Sequence, residues 1–148
     1  MKLLTKDIAH RMPALLATDG KIGRGEPVDI VVKYFQPDGA YTWWLWEASV
    51  ELDDGEEAPL KDVKDILDQV EAAAEGKGQW PKLDGRQIQD VRFFGLVDGQ
   101  YREMGYVMLS ELKKGRGKMG LPIERDIDFR GTYQDIAEDA PRAVVVNE

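Results

Sequence analysis

The sequence predicts an α+β fold: a single domain over residues 1–148, with an antiparallel sheet of about four to five strands, an N-terminal helix, an inserted acidic helix and short C-terminal helices. Three observations predict it. β-Branched and aromatic runs occur in pairs around the turn signals Gln36-Pro37-Asp38-Gly39 and Asp98-Gly99. Between the two pairs, Val63, Ile66, Leu67, Val70 and Ala74 recur at helical spacing. A chain of 148 residues is also long enough for one core of ordinary size.

Taken in order, Thr5 can cap a first helix, with Asp7 favourable in its first turn. Ile8, Met12, Leu15 and Leu16 supply the apolar stripe, although Pro13 removes a donor and can kink or restart the helix. Thr18 to Pro27 is turn chemistry; its glycines lack the spacing of a phosphate loop, so a connector is expected. Val28 to Phe35 and Tyr41 to Val50 form the first pair of strands. Val91–Val97 and Gln100–Leu109 form the second, joined through Asp98-Gly99. Pro59 opens the acidic helix, with Lys61–Asp65 and Lys64–Asp68 as i, i+4 pairs and Gly76 as its stop. Ser110 caps a short helix ending near Gly115. Ile127-Asp128-Phe129 is a candidate last strand, Thr132 a cap for a terminal helical turn, and residues 138–148 an expected weakly ordered tail.

Charge is unevenly placed. Residues 50–79 hold ten acidic residues against three lysines, a local −7 out of the chain's −8. The remaining body is near neutral, which argues against direct nucleic-acid binding, since that needs clustered Lys and Arg. With no cysteine there is neither a disulfide framework nor a thiolate nucleophile. No apolar run approaches the roughly 20 residues of a membrane span, and the start Met1-Lys2-Leu3-Leu4 lacks the apolar region of a secretory signal. A cytoplasmic address is expected.

Candidate chemistry is sparse. The lone histidine, His10, sits beside Arg11 on the first helix, and no serine lies in a nucleophile elbow. No catalytic residue, cofactor or metal is therefore expected. A magnesium site from Glu47, Glu103, Glu111, Glu124 or Asp126 stays open as an alternative, because such sites need only one or two carboxylates. Alternation in the aromatic strand places Tyr41, Trp43, Leu45 and Glu47 on one face, and Thr42, Trp44, Trp46 and Ala48 on the other. One face must be core; the other can be covered by the acidic helix or offered to a ligand. Gly105 follows Glu103-Met104 in mid-strand, where a backbone or ligand can approach closely. Arg125, between Glu124 and Asp126, is expected to make carboxylate pairs that tether the last turn, with anion capture as the alternative.

Leu3-Leu4-Thr5-Lys6, Pro13-Ala14-Leu15-Leu16, Val32-Lys33-Tyr34-Phe35 and Thr42-Trp43-Trp44 with Glu47 occur in that order. Phe94-Gly95-Leu96-Val97, Glu103-Met104-Gly105-Tyr106, Leu109-Ser110-Glu111-Leu112 and Gly120-Leu121-Pro122-Ile123-Glu124-Arg125-Asp126 follow. The series resembles a small bacterial family, domain of unknown function 2958, found largely in plasmids, phages and other mobile elements. The resemblance marks Trp43, Glu47, Glu103, Tyr106, Glu124, Arg125 and Asp126 as positions matching its motifs, and implies that residues 51–85 are an acidic helical insertion.

The function expected is that of a non-catalytic accessory protein of a mobile element. It would bind a protein partner, with inhibition of a nucleic-acid-directed host defence system as one form of that role. Asp62, Asp65, Asp68, Glu71 and Glu75 would form its acidic interface, and opposite charge on the partner would steer the encounter. Removing residues 51–79 should then leave a folded body that has lost its partner. The alternatives are a metal-dependent enzyme acting on a nucleotide or nucleic acid, and a small-ligand or single-strand binder using the aromatic strand.

Overall fold

The Asp98-Gly99 turn and the aromatic strands before it build the centre of the molecule. The computed structural model describes residues 1–139. Its seven strands are β1 (Val32–Phe35), β2 (Thr42–Leu52), β3 (Glu57–Pro59), β4 (Lys82–Leu83), β5 (Arg86–Asp98), β6 (Arg102–Met108) and β7 (Glu124–Arg125). Its four α-helices are α1 (Lys6–Arg11), α2 (Leu67–Ala74), α3 (Leu109–Lys114) and α4 (Tyr133–Asp139). The strands form one curled antiparallel sheet in the order β4-β5-β2-β1-β7, with β3 on β2 and β6 on β5. This is the α+β architecture the sequence predicts, with three more short strands than its two hairpins supply.

Both faces of the sheet are covered. On one, Leu3, Leu4, Ile8, Tyr34, Leu45, Val50, Leu60, Val63, Leu67, Val70, Phe93, Leu109 and Leu112 belong to the main core. On the other, Val28, Ile30, Trp46, Leu96 and Ile136 form a second cluster, with Ile22, Trp44, Phe94, Phe129 and Tyr133 against it.

The division of residues between the faces departs from simple alternation at two places, the second being an extra residue on β5 between Ile88 and Asp90. The register of β2 on β5 shifts between Leu45, opposite Gly95, and Glu47, opposite Phe94, so Trp46 is an extra, bulged residue. A bulge inverts the phase of everything after it. Ala48, Val50 and Leu52 therefore join Trp43 and Leu45 in the main core, and Glu47 moves to the face of Trp44 and Trp46. Gly95 makes this possible: a Cβ there would collide with the backbone of Trp44 and Leu45.

The acidic segment is part of the body. A 3-10 turn, Leu60–Val63, precedes α2, and Val63, Leu67, Val70 and Ala74 all enter the main core. Because the helix is broken at Lys64–Ile66, Asp65 and Asp68 pair across the chain instead of with Lys61 and Lys64. Asp68 meets Lys2 at 2.6 Å and Asp65 meets Lys6 at 3.7 Å. It covers the Trp43 face; the Trp44 and Trp46 face is covered by Ile22, Phe129 and α4.

Two other boundaries move. α1 stops at Arg11, before Pro13, and Leu15 and Leu16 leave the helix. The last strand is Glu124–Arg125, not Ile127-Asp128-Phe129. Thr132 does cap α4: its Oγ1 accepts from Asp135 N at 3.2 Å, and Asp135 Oδ2 accepts from Thr132 N at 2.8 Å. From residue 140 onward the expected tail lies outside the described residues. No helix among the described residues is long and apolar enough to cross a membrane.

Candidate functional site

Glu47 organises an apolar groove. The bulge turns its carboxylate toward the segment after α1, where Oε1 accepts from Leu16 N at 2.8 Å and Oε2 from Thr18 N at 2.9 Å. The Thr18 hydroxyl donates to the same Oε2. To bring both amides onto one carboxylate, Leu16 takes φ 72°, a left-handed conformation unusual for a residue with a side chain. Neighbouring bonds hold the same segment: Ser49 Oγ accepts from Leu15 N at 3.0 Å, and Ala48 N donates to Pro13 O at 2.9 Å. Glu47 is thus a buried tether whose two carboxylate oxygens are already engaged by the loop.

The segment so fixed forms one wall of a groove of about 370 Å³, with β5 and β6 as the other. Trp46 is its buried floor. Phe94 lies edge-on to Trp46 at 5.7 Å, and Tyr106 tilts over Phe94 at 5.0 Å. Three large apolar side chains on its rim stay exposed: Leu16 (68%), Met104 (41%) and Tyr106 (52%). Met104 and Tyr106 are two apart on β6 and so share a face, with Gly105 between them and open space where its Cβ would be. Among the described residues no strand pairs with the outer edge of β6. Apart from Met108 N, which donates to Glu111 Oε1 at 2.8 Å, no described strand takes up the backbone donors and acceptors on that side.

Arg102 steadies the far end of the groove. It pairs with Asp98 at 2.8 Å, donates to Ile136 O at 3.2 Å and lies 5.0 Å from the centre of the Trp44 ring. It docks α4 behind the floor, a role nothing in its sequence context announced.

The seven motif positions are divided among four places. Glu47 and Tyr106 meet at the groove. Trp43 is buried in the main core and stacks on Tyr41 at 5.7 Å. Glu103 is exposed and one residue out of phase with Met104 and Tyr106. Glu124, Arg125 and Asp126 lie at the opposite edge of the sheet, beside β1. There the expected arginine pairing is absent: Asp126 pairs with Lys33 at 3.3 Å, and Arg125 has no carboxylate partner among the described residues. The preceding turn is anchored by Asp38, whose Oδ2 accepts from Met119 N at 2.6 Å and Leu121 N at 3.3 Å. Among the described residues, no group of three His, Asp or Glu side chains is placed to hold a metal ion.

Of the acidic residues expected at an interface, Asp62, Asp65 and Asp68 are exposed and Glu75 is half-buried. Glu71 is a correction. It is buried, accepting from Leu3 N at 3.0 Å, Leu4 N at 2.7 Å and Lys113 Nζ at 2.8 Å. A helix residue flanked by apolar neighbours signalled this only weakly.

Residues 72–143 match the model of the family described as a protein of unknown function, DUF2958. The match takes in the end of α2, strands β4 to β7, α3 and α4, and so the β5–β6 side of the groove. It begins inside the acidic segment; Glu47 and the loop it holds lie before it. No curated protein and no solved structure matches the chain.

Proposed function

We propose that the protein is a non-catalytic binding module that takes an extended peptide segment of a partner protein along β6. The carrying observation is the coincidence of an unpaired strand edge with the exposed pair Met104 and Tyr106 beside an aromatic-floored groove. Strand addition uses such an edge for backbone hydrogen bonds, while pockets for alternate side chains give selectivity. Leu16, held out by the Glu47 tether, closes the groove from the other side. The occupant that fits is an extended segment with apolar side chains at alternate positions.

The exposed carboxylates Asp53, Asp54, Glu56, Glu57 and Asp62 give the module an acidic flank. It would steer a partner of opposite charge without forming the contact surface itself. In this reading the protein is a mobile-element accessory factor, and obstruction of a nucleic-acid-directed defence protein is one use of such capture.

Peptide display against the wild type, counter-selected on a Met104→Asp/Tyr106→Asp double variant, tests the proposal. Enrichment of extended sequences with alternating apolar residues is expected. Absence of any peptide that distinguishes the two proteins would overturn it.

A further inference from the structure

Between α1, β1 and the segment after β7 lies a polar cleft of about 190 Å³ that shares no lining residue with the groove. Four cationic side chains line it: Arg11, Lys33, Arg125 and Arg130. Two of them are neutralised, Arg11 by Asp7 at 2.9 Å and Lys33 by Asp126 at 3.3 Å. Arg125 is not. It has no ion pair among the described residues, and its Nε is buried without a hydrogen-bond partner. The Tyr34 hydroxyl, on the residue opposite Arg125, donates instead to Leu3 O at 2.5 Å. Among the described residues Arg130 reaches only the carbonyl of Phe129, at 2.9 Å. The cleft therefore holds two cations in excess of its carboxylates, and the Arg125 Nε is buried beside it without a hydrogen-bond partner among the described residues.

We propose that this cleft binds an oxyanion, the phosphoryl or carboxylate group of a small ligand, with Arg125 as its principal donor. A guanidinium offers a planar fork of donors matched to two oxygens of such a group, and burial strengthens the charge-assisted bonds. Thr5 lines the same cleft; its Oγ1 accepts from Ile8 N at 3.1 Å, which leaves the hydroxyl proton free to donate. Arg130 adds charge from the exposed side. Asp7 and Asp126 are held by their own partners, so the anion meets the unpaired cations.

The test follows the Arg125 Nε–H resonance and the Tm of the full chain at constant ionic strength. The probes are inorganic phosphate and acetate, at tens of millimolar. Phosphate should move the resonance and raise Tm by about 3 °C. Arg125→Gln should abolish both effects and Arg130→Gln should weaken binding several-fold. A response to phosphate alone assigns the phosphoryl source, and a response to acetate as well assigns oxyanions generally. An unmoved wild-type resonance with both probes overturns the proposal, as does an undiminished Tm response in Arg125→Gln. If Arg125→Gln does not fold, the wild-type resonance and the Arg130→Gln titration decide alone.

Discussion

Glu71 on α2 and Lys113 on α3 form a buried ion pair at 2.8 Å, and the same carboxylate accepts the backbone N–H groups of Leu3 and Leu4. One side chain thus joins the acidic segment, the N-terminus and α3. Removing Glu71 leaves Lys113 with only the longer contact to Glu75 at 3.8 Å and the Met1 carbonyl, and the Leu3 and Leu4 amides without an acceptor. Glu71→Ala should cost about 3–5 kcal/mol, measured as a lower urea midpoint. The double variant Glu71→Leu/Lys113→Met should recover part of the loss.

The same relationship changes what a deletion of residues 51–79 would do. It removes β3, α2 and the core side chains Leu60, Val63, Leu67 and Val70. The shortened chain should show no cooperative unfolding transition by circular dichroism. A folded remnant would mean that these residues form a separable appendage.

Glu47→Ala should release the loop that carries Leu16 and Thr18. Two backbone donors lose a charged acceptor, at a cost of about 2–3 kcal/mol. Amide exchange at Leu16 and Thr18 should accelerate more than exchange in β5. Leu16→Gly is the complementary variant: it removes the strain of φ 72° as well as an exposed side chain. Its stability should stay within about 1 kcal/mol of wild type while its peptide affinity falls.

Tyr34 predicts an alkaline limit. Burial, followed by the nearby Glu71 charge, pushes its phenol well above the ordinary value of about 10. Above that pH the unfolded chain releases the phenolic proton while the folded chain keeps it. Stability contributed by the neutral phenol is therefore complete below about pH 10. It declines by up to about 1.4 kcal/mol per pH unit above that point. Tyr34→Phe should flatten this decline, at the cost of the hydrogen bond to Leu3 O. Urea titrations between neutral and alkaline pH would show both effects.

Much of the scaffold was legible because its signals are local. Asp98-Gly99 marks the β5–β6 hairpin, and Thr132 caps α4. The stripe from Val63 to Ala74 finds its core face. What escaped depends on tertiary placement. The bulge at Trp46 exchanged the faces of Glu47 and Ala48, and only the partner Gly95 hints at it. Strands of two or three residues, such as β4 and β7, carry no alternation to read. Arg125 stands between two carboxylates in sequence, yet strand geometry sends neighbours to opposite faces, and Asp126 pairs with Lys33 instead. Of the site, Glu47 and Tyr106 were visible as residues; their meeting across the groove was not.

Hydrogen exchange of the β6 amides, with and without a peptide selected on the wild type, tests the binding proposal most directly. Residues 102–107 whose N–H groups point away from β5 should exchange at least about tenfold more slowly in the complex, with Trp46 fluorescence changing in parallel. A peptide that binds while leaving these amides unprotected, or that protects residues 53–68 instead, would contradict strand addition at β6.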